Sequence, residues 1–175
     1  MRIEIAQKWI FLAEIFPYQK EGAEWLKTHP KRFLLLADEM GLGKTVQSIT
    51  AAMELGCKRV LVICPAIARS NWVKEIKMWA PTATAQVILK RYDKIDVLNP
   101  NTFTICSFEY ATYQYEKLSS MGEWDVIIID EVHFVKSINA KRTRMIMGKT
   151  GLIHFAKKVW CLSGTPMPSD AAERG

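Results

Sequence analysis

FLLLADEMGLGKT, residues 33 to 45, decides the fold. Phe33–Asp38 is a short, nearly continuous apolar run, the pattern of a strand buried on both faces. Asp38 to Thr45 then reads as a phosphate-binding loop, Gly-x-x-x-x-Gly-Lys-Ser/Thr, with Asp38 standing where the general pattern has glycine. Lys44–Leu55 follows as a helical window, with Val46, Ile49, Ala52 and Met53 apolar. In such a strand–turn–helix, backbone N–H groups and the positive end of the helix converge on an anion. Lys44 is placed to reach the β- and γ-phosphates, and the Thr45 hydroxyl to ligate Mg2+. Met40, Gly41, Leu42, Gly43, Lys44 and Thr45 are the candidate cofactor-binding segment.

The alternation of apolar runs and amphipathic stretches continues along the chain. RVLVIC (Arg59–Cys64), QVILK (Gln86–Lys90), TFTICS (Thr102–Ser107), DVIIID (Asp125–Asp130) and VWCLSG (Val159–Gly164) read as strands. Ser70–Trp79, with Trp72, Val73, Ile76 and Trp79 at helical spacing, reads as a helix, as do Glu109–Ser120 and Ala140–Gly148. Asp93–Asn101 is loop-like. Apolar strands separated by helices predict an α/β fold, a parallel sheet with helices on both faces. Ligands of such sheets lie outside the carboxyl ends of the strands. Asp38, Pro65, Ser107, Asp130, Glu131, Ser163 and Thr165 all follow strands and are expected on that edge.

Asp130 and Glu131 end the most apolar strand and supply the second half of a nucleotide site. Asp130 is placed to hold Mg2+ through water, and Glu131 to orient and activate the attacking water. Paired acids at a strand end are commonly just solvated; the phosphate loop upstream favours a site. A lone His133 would more often be structural, but its place in Asp-Glu-x-His points to a coupling role.

The chain has 175 residues, 49% hydrophobic and 24% charged, which suits one globular domain and excludes disordered and collagen-like classes. The net charge of +6 is compatible with a polyanion partner and equally with a merely basic domain. Cys57, Cys64, Cys106 and Cys161 form no Cys-x-x-Cys pair, so a zinc site is not expected. Three of them sit in or beside apolar runs and read as buried thiols of a reduced compartment. The N-terminal apolar run Trp9–Ala13 is too short for a signal core or a membrane span, so a soluble, intracellular protein of the cytoplasm or nucleus is expected.

GLGKT, DEVH and LSGTP together resemble the motifs of superfamily-two helicases. The finer wording resembles the Swi/Snf-like branch of double-stranded DNA translocases. DEMGLGKTVQSI is similar to that branch's phosphate loop, where an Asp at the first position is normal. PYQKEGAEWL (Pro17–Leu26) resembles its adenine-reading segment, LVICPAIARSNWVKEIKMWAP (Leu61–Pro81) its first DNA-strand motif, CSFEY (Cys106–Tyr110) a backbone-contacting motif, and LSGTPMPS (Leu162–Ser169) the motif linking hydrolysis to DNA movement. Six motifs in order span Phe16 to Ser169.

The resemblance implies a RecA-like lobe that binds ATP and Mg2+, with Gln19 on the adenine edge. It implies that Ser107 and the main chain at Pro65 and Ala66 meet DNA phosphates, and that Ser163 and Thr165 sense the γ-phosphate. The basic run Lys136–Arg144 either touches DNA or faces solvent. Residues 1–175 are expected to be the ATP-binding lobe alone, partnered by a second lobe that supplies an arginine finger, a group worth about 10³–10⁵ in turnover. Slow hydrolysis by this lobe alone follows. The expected function is a DNA-dependent ATPase that translocates on duplex DNA or remodels protein–DNA complexes. The alternatives are a lobe of a strand-separating DNA or RNA helicase and a non-catalytic nucleotide- or DNA-binding module.

Overall fold

The computed structural model describes residues 15–37, 43–96, 99, 101–137 and 140–164. Six strands, β1 (Phe33–Ala37), β2 (Arg59–Cys64), β3 (Thr84–Val87), β4 (Thr102–Ser107), β5 (Trp124–Ile129) and β6 (Ala156–Ser163), form one sheet in the order β1-β6-β5-β2-β4-β3. Every pairing is parallel. The helices are α1 (Pro17–Thr28), α2 (Lys44–Glu54), α3 (Arg69–Trp79), α4 (Phe108–Tyr113), α5 (Tyr115–Ser120), α6 (Phe134–Ser137) and α7 (Ala140–Met147).

Strand residues alternate between two cores because successive side chains point to opposite faces. Leu34, Leu36, Val60, Val62, Val126, Ile128, Trp160 and Leu162 pack with Leu26 of α1, Ile49 and Ala52 of α2, and Trp72 and Ile76 of α3. Leu61, Ile63, Cys106, Ile127, Ile129, Val159 and Cys161 pack on the other face with Leu118 of α5 and Ile146 of α7. A strand covered on both sides is apolar on both faces, apart from small hydroxyls such as Thr102 and Thr104 of β4, which is why these runs are continuous rather than alternating.

Register places the ends together. Ala37 pairs with Ser163, Ile129 with Cys161, Ile63 with Ile129, and Cys64 with Ser107. The carboxyl ends of β1, β6, β5, β2 and β4 therefore lie along one edge, as the sequence pattern predicts.

Several boundaries differ from the sequence reading. The strand expected at Gln86–Lys90 lies earlier, at Thr84–Val87, because the Asp93 carboxylate accepts the N–H groups of Leu89 and Lys90 at 2.9 and 2.8 Å and turns the chain there. The helix expected over Glu109–Ser120 starts a residue earlier and is broken at Gln114 into α4 and α5, where Tyr115 packs against Phe155 and its hydroxyl donates to the Thr150 carbonyl. β6 begins at Ala156, earlier than Val159, since β5 pairs with it from Trp124↔Ala156 onward, before β1 joins at Phe33↔Val159. All four cysteines are buried and unpaired. No helix among the described residues is long and apolar enough to cross a membrane.

Candidate functional site

The described part of the phosphate loop starts at Gly43. Asp38, Met40, Gly41 and Leu42 lie outside the described residues, as does Thr165. Gly43 has φ +74°, a left-handed conformation that glycine adopts without cost, and it caps α2. Lys44 and Thr45 then open the helix, both partly exposed. Gln19 of α1 is buried; its Oε1 accepts the Phe16 N–H at 2.9 Å, and its Nε2 lies where a Cβ on Gly43 would have to stand. A Cβ on Gly22 would likewise overlap the Gln47 side chain. Two glycines thus let α1 lie against α2, which sets Gln19 beside the phosphate loop. The rings of Phe16 and Tyr18 stack at 5.9 Å, both exposed, and offer a flat apolar platform that the sequence reading missed.

The carboxylates come from the end of β5. The Asp130 N–H donates to the Ile63 carbonyl at 2.8 Å, and its Oδ2 accepts the Trp72 indole N–H at 2.8 Å. Burial pushes the Asp130 carboxyl above its ordinary value; the Trp72 N–H opposes this, the Glu131 charge adds to it, and the Glu131 N–H and Lys44 counter it. Glu131 has φ +52°, the left-handed region that non-glycine residues occupy at a cost of about 1–3 kcal/mol, and such strain clusters at functional sites. The turn breaks the strand direction and swings Glu131 toward β6. A Cβ on Gly164 would stand 3.6 Å from Glu131 Oε1 and 3.9 Å from Lys44 Nζ. Lys44, Glu131 and Gly164, distant in sequence, therefore meet at one point on the sheet edge.

His133 Nδ1 lies 3.4 Å from Glu131 Oε2, an approach rather than a formed hydrogen bond. Its ring leans on Phe134 at 4.8 Å, and Phe134 stacks on Phe108 of α4 at 6.1 Å. Phe108 directly follows Ser107, so an aromatic chain runs from the DEVH turn to the end of β4. Ser107 itself is buried, and its hydroxyl accepts the Tyr110 N–H at 3.1 Å, capping α4. Pro65 and Ala66 form the turn after β2; Ala66 is exposed and Ile67 beside it is 91% exposed. Ser163 ends β6 and is buried.

The basic run behaves differently from both expectations at one position. Arg142 is buried: its guanidinium donates to the Phe134 carbonyl at 3.3 Å and lies 5.5 Å from the Phe108 ring centre. It holds packing together rather than meeting DNA or solvent. Lys141, by contrast, is exposed over the Tyr113 ring, and Arg144 is exposed.

The site's donor set fits a hard divalent cation. The Asp130 carboxylate at the end of β5 and the Thr45 hydroxyl at the start of α2 are hard oxygen donors of the kind such a cation takes. Among the described residues no cluster of three His, Cys, Asp or Glu could cage a metal. One or two carboxylates with substrate phosphates and waters is the usual Mg2+ arrangement.

Known proteins resemble this chain in sequence and fold. A Caenorhabditis elegans homologue of the SWI/SNF-related matrix-associated actin-dependent regulator of chromatin subfamily A-like protein 1 is 36% identical over 93% of the chain. Helicase domino of Drosophila melanogaster is 30% identical over 89% of it. The solved Sulfolobus solfataricus SWI2/SNF2 ATPase core in complex with dsDNA superposes with a TM-score of 0.75 at 29% identity over 88% of the chain. The chain spans 23% and 5% of the two curated relatives and 32% of the solved core. The match to the SNF2-related domain runs from residue 18 to residue 174, and with the parallel sheet and its carboxyl-edge site it makes this chain a member of the SNF2-related domain family.

Proposed function

We propose that this chain is the ATP-binding lobe of a DNA-dependent ATPase that translocates on duplex DNA or remodels protein–DNA complexes. The observation that carries the reading is the meeting of Lys44, Glu131 and Gly164 at the sheet edge. Lys44 neutralises the β- and γ-phosphates, and the α2 N-terminus with Gly43 cradles them. Mg2+, held by Asp130 and Thr45, would withdraw charge from the transferred phosphoryl group. Glu131 accepts a proton from the attacking water. Gln19 and the Phe16–Tyr18 platform hold the base. Gly164, against both Lys44 and Glu131, gives the segment containing Ser163 and Thr165 a direct route to register phosphate release.

Nucleic acid would run along the same edge, over the Pro65–Ile67 turn, exposed at Ala66 and Ile67, and past the end of β4 at Ser107. Those contacts are to backbone phosphate and carry no sequence information. The Sulfolobus core was solved in complex with dsDNA, which supports duplex DNA as the track. That core is about three times the length matched here, so we place the rest of the pocket on a second lobe. The 175 residues alone should then hydrolyse ATP slowly.

Binding of a fluorescent ATP analogue with Mg2+, by the chain and by Lys44→Ala, tests the reading. Saturable binding that Lys44→Ala abolishes is expected. Equal affinity of the two proteins would remove Lys44 and the phosphate loop from the site.

A further inference from the structure

Trp72 spends its indole N–H in an unusual way. It sits in the first turn of α3, is 1% exposed, and donates at 2.8 Å to Asp130, 58 positions along the chain. Other tryptophans satisfy themselves locally: Trp124 donates to the Leu118 carbonyl at 3.2 Å and Trp79 to Glu75 within its own helix at 2.6 Å. Trp160, fully buried, has no partner for its N–H among the described residues. The fold therefore tolerates an unsatisfied buried indole, and a core position does not by itself call for a carboxylate partner. An indole N–H is a donor only, so Asp130 must present an oxygen to it.

That bond fixes one oxygen of the carboxylate, while the main chain of Asp130 is fixed through Ile63. An aspartate rotates about two bonds and would otherwise sample several directions. Outer partners that orient a ligating side chain are ordinarily worth about 10–100-fold in metal affinity.

We infer that Trp72 is a positioning residue for the Mg2+-nucleotide site, its indole N–H holding the Asp130 carboxylate in the direction that receives the metal. The inference rests on the nucleotide reading above and adds a residue to it. Trp72 is buried and acts through Asp130. Because α3 grows directly out of the Pro65–Ala68 turn, the same side chain ties that turn to the carboxylate.

Trp72→Phe keeps the buried ring and deletes the donor. In the 175-residue chain, ADP affinity in EDTA should stay within about twofold, because Asp130 contributes through the metal. Mn2+ binding to the ADP-saturated chain, counted by electron paramagnetic resonance, should weaken about 10–100-fold. Unchanged Mn2+ affinity overturns the inference. So does an equal loss of metal-free ADP affinity, which marks damaged packing. Should the variant fail to fold, the wild-type chain decides by NMR: the assigned Trp72 indole N–H resonance must move when Mg2+ joins bound ADP and stay still with ADP alone. A resonance indifferent to Mg2+ overturns the inference. A wild-type chain that binds no ADP in any condition refutes the nucleotide reading itself and this inference with it; binding without Trp72 dependence refutes the inference alone.

Discussion

Arg142→Ala should unfold more of this protein than any change to an exposed cation of the same basic run. Arg142 joins α7 to both α6, through the Phe134 carbonyl, and α4, through the Phe108 ring. A hydrogen bond from a charged donor is worth about 1.5–3 kcal/mol, and at 3.3 Å this one belongs at the lower end. The cation–π contact at 5.5 Å, near the outer limit, adds about 0.5–1 kcal/mol. Burial of the aliphatic stem adds about 0.8 kcal/mol for each methylene removed from water. Against this, freeing an ordered arginine returns about 1.5–2 kcal/mol of rotamer entropy. The net loss is about 2 kcal/mol. Urea denaturation of the wild type, Arg142→Ala and Arg144→Ala measures it, with Arg144 as the exposed control expected within about 0.5 kcal/mol of wild type. A loss below about 0.5 kcal/mol for Arg142→Ala, or a drop in duplex-DNA affinity with stability intact, would refute the assignment of Arg142 to packing.

The strained turn at Glu131 predicts an exchange of function for stability. Glu131→Gly relieves the left-handed conformation, offset by about 0.5–1 kcal/mol of glycine entropy, so unfolding free energy should stay equal or rise slightly while the proposed ATP hydrolysis is lost. Destabilisation beyond about 1 kcal/mol would show the Glu131 side chain to be structural. The thiols give a pH prediction. Burial raises all four above the ordinary 9.0, Cys57 to about 11 and Cys64 and Cys161 to about 12. A thiol reagent at pH 8 should label none in the folded chain and four after denaturation. The raised values also mean that their contribution to stability is complete below pH 9 and is lost as pH climbs toward the folded values, at about 1.4 kcal/mol per pH unit for each thiol ionised in the unfolded chain alone. Melting temperatures unchanged between pH 8.5 and 10.5 would contradict this.

Much of the architecture was legible because its determinants are local. Arg59–Cys64 and Thr102–Ser107 are strands with the boundaries that their apolar runs predict. Where a strand is buried on both faces it carries no charge and only small hydroxyls among its apolar residues, as Thr102, Thr104 and Ser107 do in β4, so its ends are largely written in the sequence. Where a side chain from outside the run sets the boundary, the pattern misleads: Asp93 stops β3 before the apolar letters end. The break at Gln114 has no glycine or proline to announce it and follows from where Tyr115 docks.

The chemistry of the site divides in the same way. The order of motifs along the chain determined which groups arrive at the carboxyl edge: Lys44 and Thr45 after β1, Pro65 after β2, Ser107 after β4, Asp130 and Glu131 after β5, Ser163 and Gly164 at the end of β6. That much follows from alternating strands and helices, since parallel strands deliver all their following loops to one edge. Which of those groups touch was decided by the tertiary structure. Placing β6 between β1 and β5 brings Gly164 to Lys44 and Glu131, and placing β2 against β5 brings Trp72 over Asp130. Strand order is a global packing result, reached when every apolar face is covered at once, and no local run of letters encodes it. Trp72 and Arg142 look in sequence like a core residue and a surface charge; the contacts that give them their roles exist only after the sheet has closed.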